Sequence, residues 1–202
     1  MTWSEILKIL IGGVIGFIFG FLTTLVKSAI DRNGKIKIYY KIYSSENPTE
    51  EFGFSSEGYE IVFIVPMCFE IQNTSNSSRV IRDLSINLFN KGKSFKKMLQ
   101  VGKSVFKRTT NGVLVSQSEK EFGTQNNSYS FVIPARSIQN QRCVYMYVID
   151  QVETKENQFD EIKLSYYDEN DKIHSFSIRK IPNCLEQSKN LIVDNDWVLA
   201  TK

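Results

Sequence analysis

The sequence predicts an all-β fold, an antiparallel β-sandwich of about seven or eight strands, preceded by one transmembrane α-helix. Three observations predict it. Ile9 to Val26 (ILIGGVIGFIFGFLTTLV) contains no charged residue. Downstream of Lys27 the apolar residues recur with period two, the mark of half-buried strands. Between those strands lies no amphipathic helix, so the crossovers that a parallel sheet needs are missing.

The helix comes first. At about 1.5 Å of rise per residue, Ile6 to Val26 is long enough to cross a hydrocarbon core of about 30 Å. A cleaved signal would need a basic start, a shorter apolar core and a small-x-small site. Glu5 and Lys8 nearly cancel, the run is long, and Ser28-Ala29 is a poor cleavage site. A core helix would show a polar face, and this one has none. The run therefore reads as an uncleaved anchor. Basic residues that flank a span stay in the cytoplasm. Lys8 stands before it, and Lys27, Arg32, Lys35, Lys37 and Lys41 follow it. The expected topology is single-pass in the cell membrane, N-terminus out and the domain inside. Gly12, Gly16 and Gly20 lie four residues apart on one narrow helix face, the spacing of a helix–helix seam, and predict self-association.

About 175 residues remain after the run, enough for one domain with a full core. The organisation is 1–32 as anchor helix and flank, 33–182 as the sandwich, and 183–202 as a tail that packs on the domain or docks a partner. At 42% hydrophobic and 23% charged, the chain has ordinary globular composition, and a formal charge of +3 implies no nucleic acid by itself. Ile36, Ile38, Tyr40 and Ile42 alternate with lysines and tyrosines in the first strand. Tyr59 to Gln72 is a longer strand that places Met67, Phe69 and Ile71 opposite Cys68, Glu70 and Gln72. Pro66 within it predicts a bulge, bend or edge. The residues 73–78 (NTSNSS) form a dense turn signal. Arg79 to Phe89 alternates with Leu84, Ile86 and Leu88 inward. Tyr129, Phe131 and Ile133 end at Pro134. Val144 to Ile149, apolar on both faces, is a central strand. Ile162, Leu164 and Tyr166 pair through a turn at 168–171 with Phe176 and Ile178 as a hairpin.

The run of an apolar strand, an Asn-rich turn and then Val80-Ile81-Arg82-Asp83-Leu84 resembles immunoglobulin- or fibronectin-like modules. It is also similar to small uncharacterised bacterial proteins that hang such a domain on one N-terminal helix. The resemblance is one of pattern over most of residues 35–180. It implies a β-sandwich and assigns no functional residue. A Cys…Trp…Cys framework is absent, since Trp3 and Trp197 fall outside the strands.

Chemistry is sparse. Gly102-Lys103-Ser104 and Gly92-Lys93-Ser94 mimic the end of a phosphate loop, but Lys97 and Asn87 stand where its first glycine belongs. Cys68, Cys143 and Cys184 lack metal-ligand spacing and read as core thiols; His174 reads as a strand histidine near a sheet edge. Asp168, Glu169 and Asp171 read as a solvated turn rather than a calcium loop. The strongest feature is a basic stretch. Lys91, Lys93, Lys96, Lys97, Lys103, Lys107 and Arg108 fall within 18 residues that hold no acid. With the domain tethered, the expected partner of that patch is anionic lipid rather than nucleic acid, against a plain solvated connection.

The function expected is a non-enzymatic, membrane-anchored binding module that holds a protein partner or a signal at the inner membrane face, with no cofactor, no metal and no catalytic residue. Two alternatives stand. One is a nucleotide-responsive effector or enzyme whose site is assembled from scattered residues, which a polar pocket with convergent titratable groups would favour. The other is an extracellular adhesion or accessory module.

Overall fold

The structure, a computed structural model, describes residues 2–32, 34–43, 52–57, 60–108, 114–119, 130–149, 159–181 and 193–200. Tyr59, Tyr129 and Cys184 lie outside the described residues. A single helix, α1 (Trp3–Arg32), runs 30 residues. Its stretch Leu10–Ser28 is long and apolar enough to cross a membrane, and none of it is buried. The two hydroxyl residues of the apolar run turn inward on the helix itself. Thr23 Oγ1 donates to Phe19 O at 2.7 Å and Thr24 Oγ1 to Gly20 O at 2.9 Å. Both protons are thus satisfied without water, as an apolar surround requires.

Beyond the helix, the described strands are antiparallel and form two sheets. The strands are β1 (Ile36–Ile42), β2 (Gly53–Glu57), β3 (Glu60–Asn73), β4 (Arg79–Asn90), β5 (Lys93–Lys97), β6 (Leu99–Arg108), β7 (Leu114–Glu119), β8 (Phe131–Ile133), β9 (Ser137–Ile149), β10 (Glu161–Tyr167), β11 (Ile173–Lys180) and β12 (Val198–Leu199). Seven of them form one sheet in the order β12-β1-β3-β9-β6-β7, with β2 also on β3; five form the other, β11-β10-β4-β5, with β8 also on β4. The described residues thus hold more strands than the seven or eight expected. The additions are β2, β5, β7 and β12, which are short, and the ten-residue β6, which the sequence reading takes for a basic connection.

The core follows from the alternation. Ile38, Tyr40 and Ile42 of β1, Phe63, Val65, Met67, Phe69 and Ile71 of β3, Leu84, Ile86 and Leu88 of β4, and Ile162, Leu164 and Tyr166 of β10 are buried in one cluster shared by both sheets. Val144 to Ile149 lies in β9, which pairs with β3 on one side and β6 on the other, so it is central as expected. The 168–171 turn joins β10 to β11 in the expected hairpin.

Of the bulge, bend or edge expected at Pro66, the structure shows a local edge. Pro66 neither bulges nor ends β3, whose pairing with β9 runs unbroken from Ile61 to Asn73. The partner on the other edge changes instead: β2 covers 60–64 and β1 covers 67–73. Pro66 O accepts from Tyr43 N at 3.2 Å, so its donorless nitrogen faces the same edge, where the two partner strands leave a gap. β4 has a bulge where the sequence shows none. Four residues from Arg82 to Ser85 oppose three from Ser165 to Tyr167, and Asp83 takes φ 54°. That shift lets both Ile81 and Leu84 face the core.

The register fixes two ends. The end nearest α1, the proximal end, carries the 74–78, 134–136 and 168–172 connections. The β4–β5 turn lies at the distal end, a twelve-residue strand away, or on the order of 35 Å. Gly34 has φ 130°, and a Cβ there would sit 2.5 Å from Ser75 Cα, so only glycine lets the chain press on the 74–78 turn. Lys35 then grips Thr74: its N–H donates to Thr74 Oγ1 at 2.8 Å and its carbonyl accepts from Thr74 N at 3.1 Å. The C-terminal segment is settled in part. Asp194 Oδ2 accepts from Ile42 N at 2.9 Å, and Ala200 N donates to Ile38 O at 2.8 Å, so residues 193–200 pack on the β1 edge.

Asn73 is the organising side chain of the proximal end and is 2% exposed. Its Nδ2 donates to Ser77 O, Ile133 O and Pro134 O, and its Oδ1 accepts from Ser75 N and Ser75 Oγ. It ties the 74–78 turn to the 134–136 turn of the neighbouring strand pair. Asn73→Ala strands several buried polar groups at once. The expected cost is about 3 kcal/mol, read as a lowered midpoint in urea unfolding of the detergent-solubilised chain by far-UV circular dichroism.

Candidate functional site

The seam glycines come first. Gly12, Gly16 and Gly20 sit on the exposed surface of α1, and a Cβ built at any of them meets nothing within 4 Å. Nothing within the chain requires glycine there. Along the exposed span stand eleven large apolar side chains: Leu10, Ile11, Val14, Ile15, Phe17, Ile18, Phe19, Phe21, Leu22, Leu25 and Val26.

The basic stretch does not form one strand. Lys91 is in the β4–β5 turn, Lys93, Lys96 and Lys97 are on β5, and all four are exposed. Lys103, Lys107 and Arg108 lie on β6 in the other sheet, where only the backbone is described. β5 closes one side of the five-stranded sheet, and lysines on a sheet margin deter edge-to-edge pairing with another chain. Lys97 also pairs with Asp83 across the β4 bulge. The described lysines of the stretch cluster toward the distal end, away from the helix exit. Gly102-Lys103-Ser104 is in strand β6 and Gly92-Lys93-Ser94 spans the β4–β5 turn, so neither opens a helix that would present backbone N–H groups to a phosphate.

Titratable groups converge at the proximal end instead. Each acid of the 168–171 turn has a cationic partner or an imidazole: Asp168 meets His174, Glu169 meets Arg79, and Asp171 meets Arg82 at 2.9 Å. The sequence reading of this cluster as a merely solvated turn missed those partners, which come from β4 and β11. His174 Nε2 lies 2.8 Å from Asp168 Oδ2, and its ring stacks on Tyr166 at 4.8 Å. β11 is the outermost strand of its sheet order, so the expected edge position of His174 holds.

Two clefts open here. One, of about 600 Å³, is lined by Lys35, Arg79, Tyr166, Asp168, Glu169 and His174 among others. The second, of about 610 Å³, shares Arg79, Glu169 and Asn170 and extends to Thr24, Lys27 and Ser28 of the helix. The first cleft's described lining contains no serine, threonine or cysteine. Its imidazole and carboxylate are joined to each other by a hydrogen bond. Among the described residues no three His, Cys, Asp or Glu side chains converge as metal ligands. Cys68 and Cys143 form no disulfide with each other: the register sets Cys143 beside Met67, so the two cysteines face opposite sides of the sheet. Burial pushes the Cys68 thiol up despite Arg142 and Lys41 nearby. Burial also pushes the Tyr166 hydroxyl up to about 12, with the Asp168 charge adding to it.

No protein-family model, no curated protein and no solved structure matches the chain.

Burial works against the Asp168 carboxylate. Hydrogen bonds from His174 and from the Lys172 and Asn170 backbone N–H groups outweigh it and hold its pKa below the ordinary 3.8. A depressed folded-state pKa gives stability that is complete above the unfolded value and is lost as pH falls through the folded one. Asp168→Asn is therefore expected to lower stability at pH 7 and to flatten its decline below about pH 4, measured by urea unfolding across pH. An acid limb as steep as that of the unaltered chain would assign the acid sensitivity to other carboxylates.

Proposed function

We propose that the chain is a single-pass, membrane-anchored β-sandwich that works by binding rather than catalysis, holding a protein partner or a signal at the inner face of the cell membrane. One observation carries the reading. An apolar helix with its whole span exposed is joined, through the constrained Gly34, to a domain whose two sheets share a core of their own. Such a helix calls for lipid and such a domain does not. The basic flank Lys27, Arg32, Lys35, Lys37 and Lys41 favours the domain on the cytoplasmic side. With the proximal end turned toward the bilayer, the distal end, with the β4–β5 turn and its lysines, looks outward to a partner. The glycines at 12, 16 and 20 supply the helix–helix contact for self-association.

The anchor is tested by fractionation. The full chain is expected to pellet with membranes and to resist carbonate extraction; recovery in the soluble fraction would refute the reading. For orientation, Lys93→Cys should react with a membrane-impermeant maleimide only after lysis, whereas equal labelling of intact cells would place the domain outside and favour the adhesion module. Gly16→Ile should weaken self-association in detergent by keeping the backbones apart. An unchanged monomer–dimer equilibrium would remove the seam.

A further inference from the structure

We infer that the cleft between the last turns of α1 and the 74–78 turn binds the phosphate of an anionic phospholipid headgroup. The inference rests on α1 being a membrane anchor, and two separate features support it.

The first is depth. Lys8 and Lys27 are the charged residues that bound the uncharged run. Nineteen residues apart along a helix, they stand about 28 Å from one another, close to the thickness of a hydrocarbon core. When α1 spans, Lys27 lies where the core gives way to headgroups. Thr24, Lys27 and Ser28, which form the helical wall of the cleft, then sit at the level of the lipid phosphates.

The second is the lining. Facing those three are Ser77 and Ser78 from the 74–78 turn, Arg79 at the start of β4, and Glu169 and Asn170 from the β10–β11 turn. Thr24 gives its proton to Gly20 O; the three serine hydroxyls, an amide and two cations oppose one carboxylate, and that carboxylate is already paired with Arg79. Arg79 Nε also reaches Ser75 Oγ at 3.3 Å, so the guanidinium is oriented before any ligand arrives. Its planar fork of five N–H groups serves several acceptors together and matches phosphate oxygens. Lys27, on an exposed helix face and with a flexible stem, brings the second charge from the lipid side. Asn73 and Gly34 fix the turn that supplies the serines and the approach of the helix to it. A phosphodiester with no compensating cation suits this charge balance better than a choline headgroup, whose quaternary ammonium would add a third positive charge.

The full chain, purified in detergent, is titrated by native mass spectrometry with phosphatidylglycerol, phosphatidylcholine, inorganic phosphate or glycerol phosphate. The same preparation is scored for carbonate-resistant membrane association before extraction. The expected result is retained phosphatidylglycerol, with phosphatidylcholine bound at least fivefold more weakly and neither soluble phosphate retained. Lys27→Gln and Arg79→Gln should each weaken phosphatidylglycerol about fivefold, the worth of one basic residue at an anionic surface. Lys93→Gln, at the distal end, should leave it unchanged. Lys27 is exposed on the helix, so its replacement leaves the domain's fold untouched and keeps the test decisive should Arg79→Gln disturb the 168–171 turn. Equal retention by Lys27→Gln and the unaltered chain, or equal binding of the two lipids, overturns the inference. Tight binding of inorganic phosphate or glycerol phosphate makes this a site for soluble anions and overturns the lipid assignment. A chain that stays with membranes yet retains no phosphatidylglycerol removes the headgroup site and leaves the anchor standing; a chain that leaves the membrane removes the anchor itself.

Discussion

An α-helix with apolar side chains on every side has no stable home in water, and this constraint governs the rest of the molecule. Eleven large apolar side chains of the span are exposed. Covering them is worth about 2 kcal/mol each, or on the order of 20 kcal/mol together. A whole domain is stable by only about 5–15 kcal/mol. No adjustment within the β-domain offsets a debt of that size, whereas a bilayer does so by its nature. The first residues after the helix fix which end of the domain lies nearest to it.

Those first residues act through three side-chain and backbone devices. Gly34 permits a close approach that any Cβ would block. Thr74 holds the Lys35 backbone through its own N–H and hydroxyl. Asn73, buried beneath them, binds two neighbouring turns into one unit with five hydrogen bonds. The result is a defined proximal end, where the titratable groups of three turns and strands meet, and a distal end about a strand length away. The two ends differ in chemistry as well as place. At the proximal end acids and bases are paired across elements, while at the distal end lysines stand exposed along β5 and the β4–β5 turn.

Much of the fold was legible in the sequence because period-two alternation is a direct imprint of a sheet with one buried face. Ile38, Tyr40 and Ile42, Met67, Phe69 and Ile71, and Leu84, Ile86 and Leu88 all face the core as the alternation requires. Most of what escaped was polar or short. β2 (GFSSE), β5 (KSFKK) and β7 (LVSQSE) are held by backbone pairing to neighbours, and their side chains carry little periodic signal. Pro66 signals an edge, but a missing donor matters only on the side it faces, and how local that edge is depends on where β1 and β2 stop. The basic stretch, continuous in sequence, is shared between β5 in one sheet and β6 in the other. The proximal clefts are the opposite case and were invisible in the sequence. Arg79 stands 90 positions before Glu169 in the chain, and only the sheet order brings it to the turn that carries Glu169 and to His174.

The central claim, that α1 spans a bilayer with its ends at the two interfaces, is tested most directly by site-directed spin labelling. Single cysteines at positions 4, 17 and 28, in a chain whose native cysteines are replaced by serine, are labelled and reconstituted in vesicles. Collision with oxygen, which concentrates in the hydrocarbon, is compared with collision with a polar nickel chelate. Position 17 is predicted to show high oxygen and negligible chelate accessibility, and positions 4 and 28 the reverse. Equal chelate accessibility at all three positions would contradict a membrane span and, with it, the placement of the domain's proximal end against the lipid.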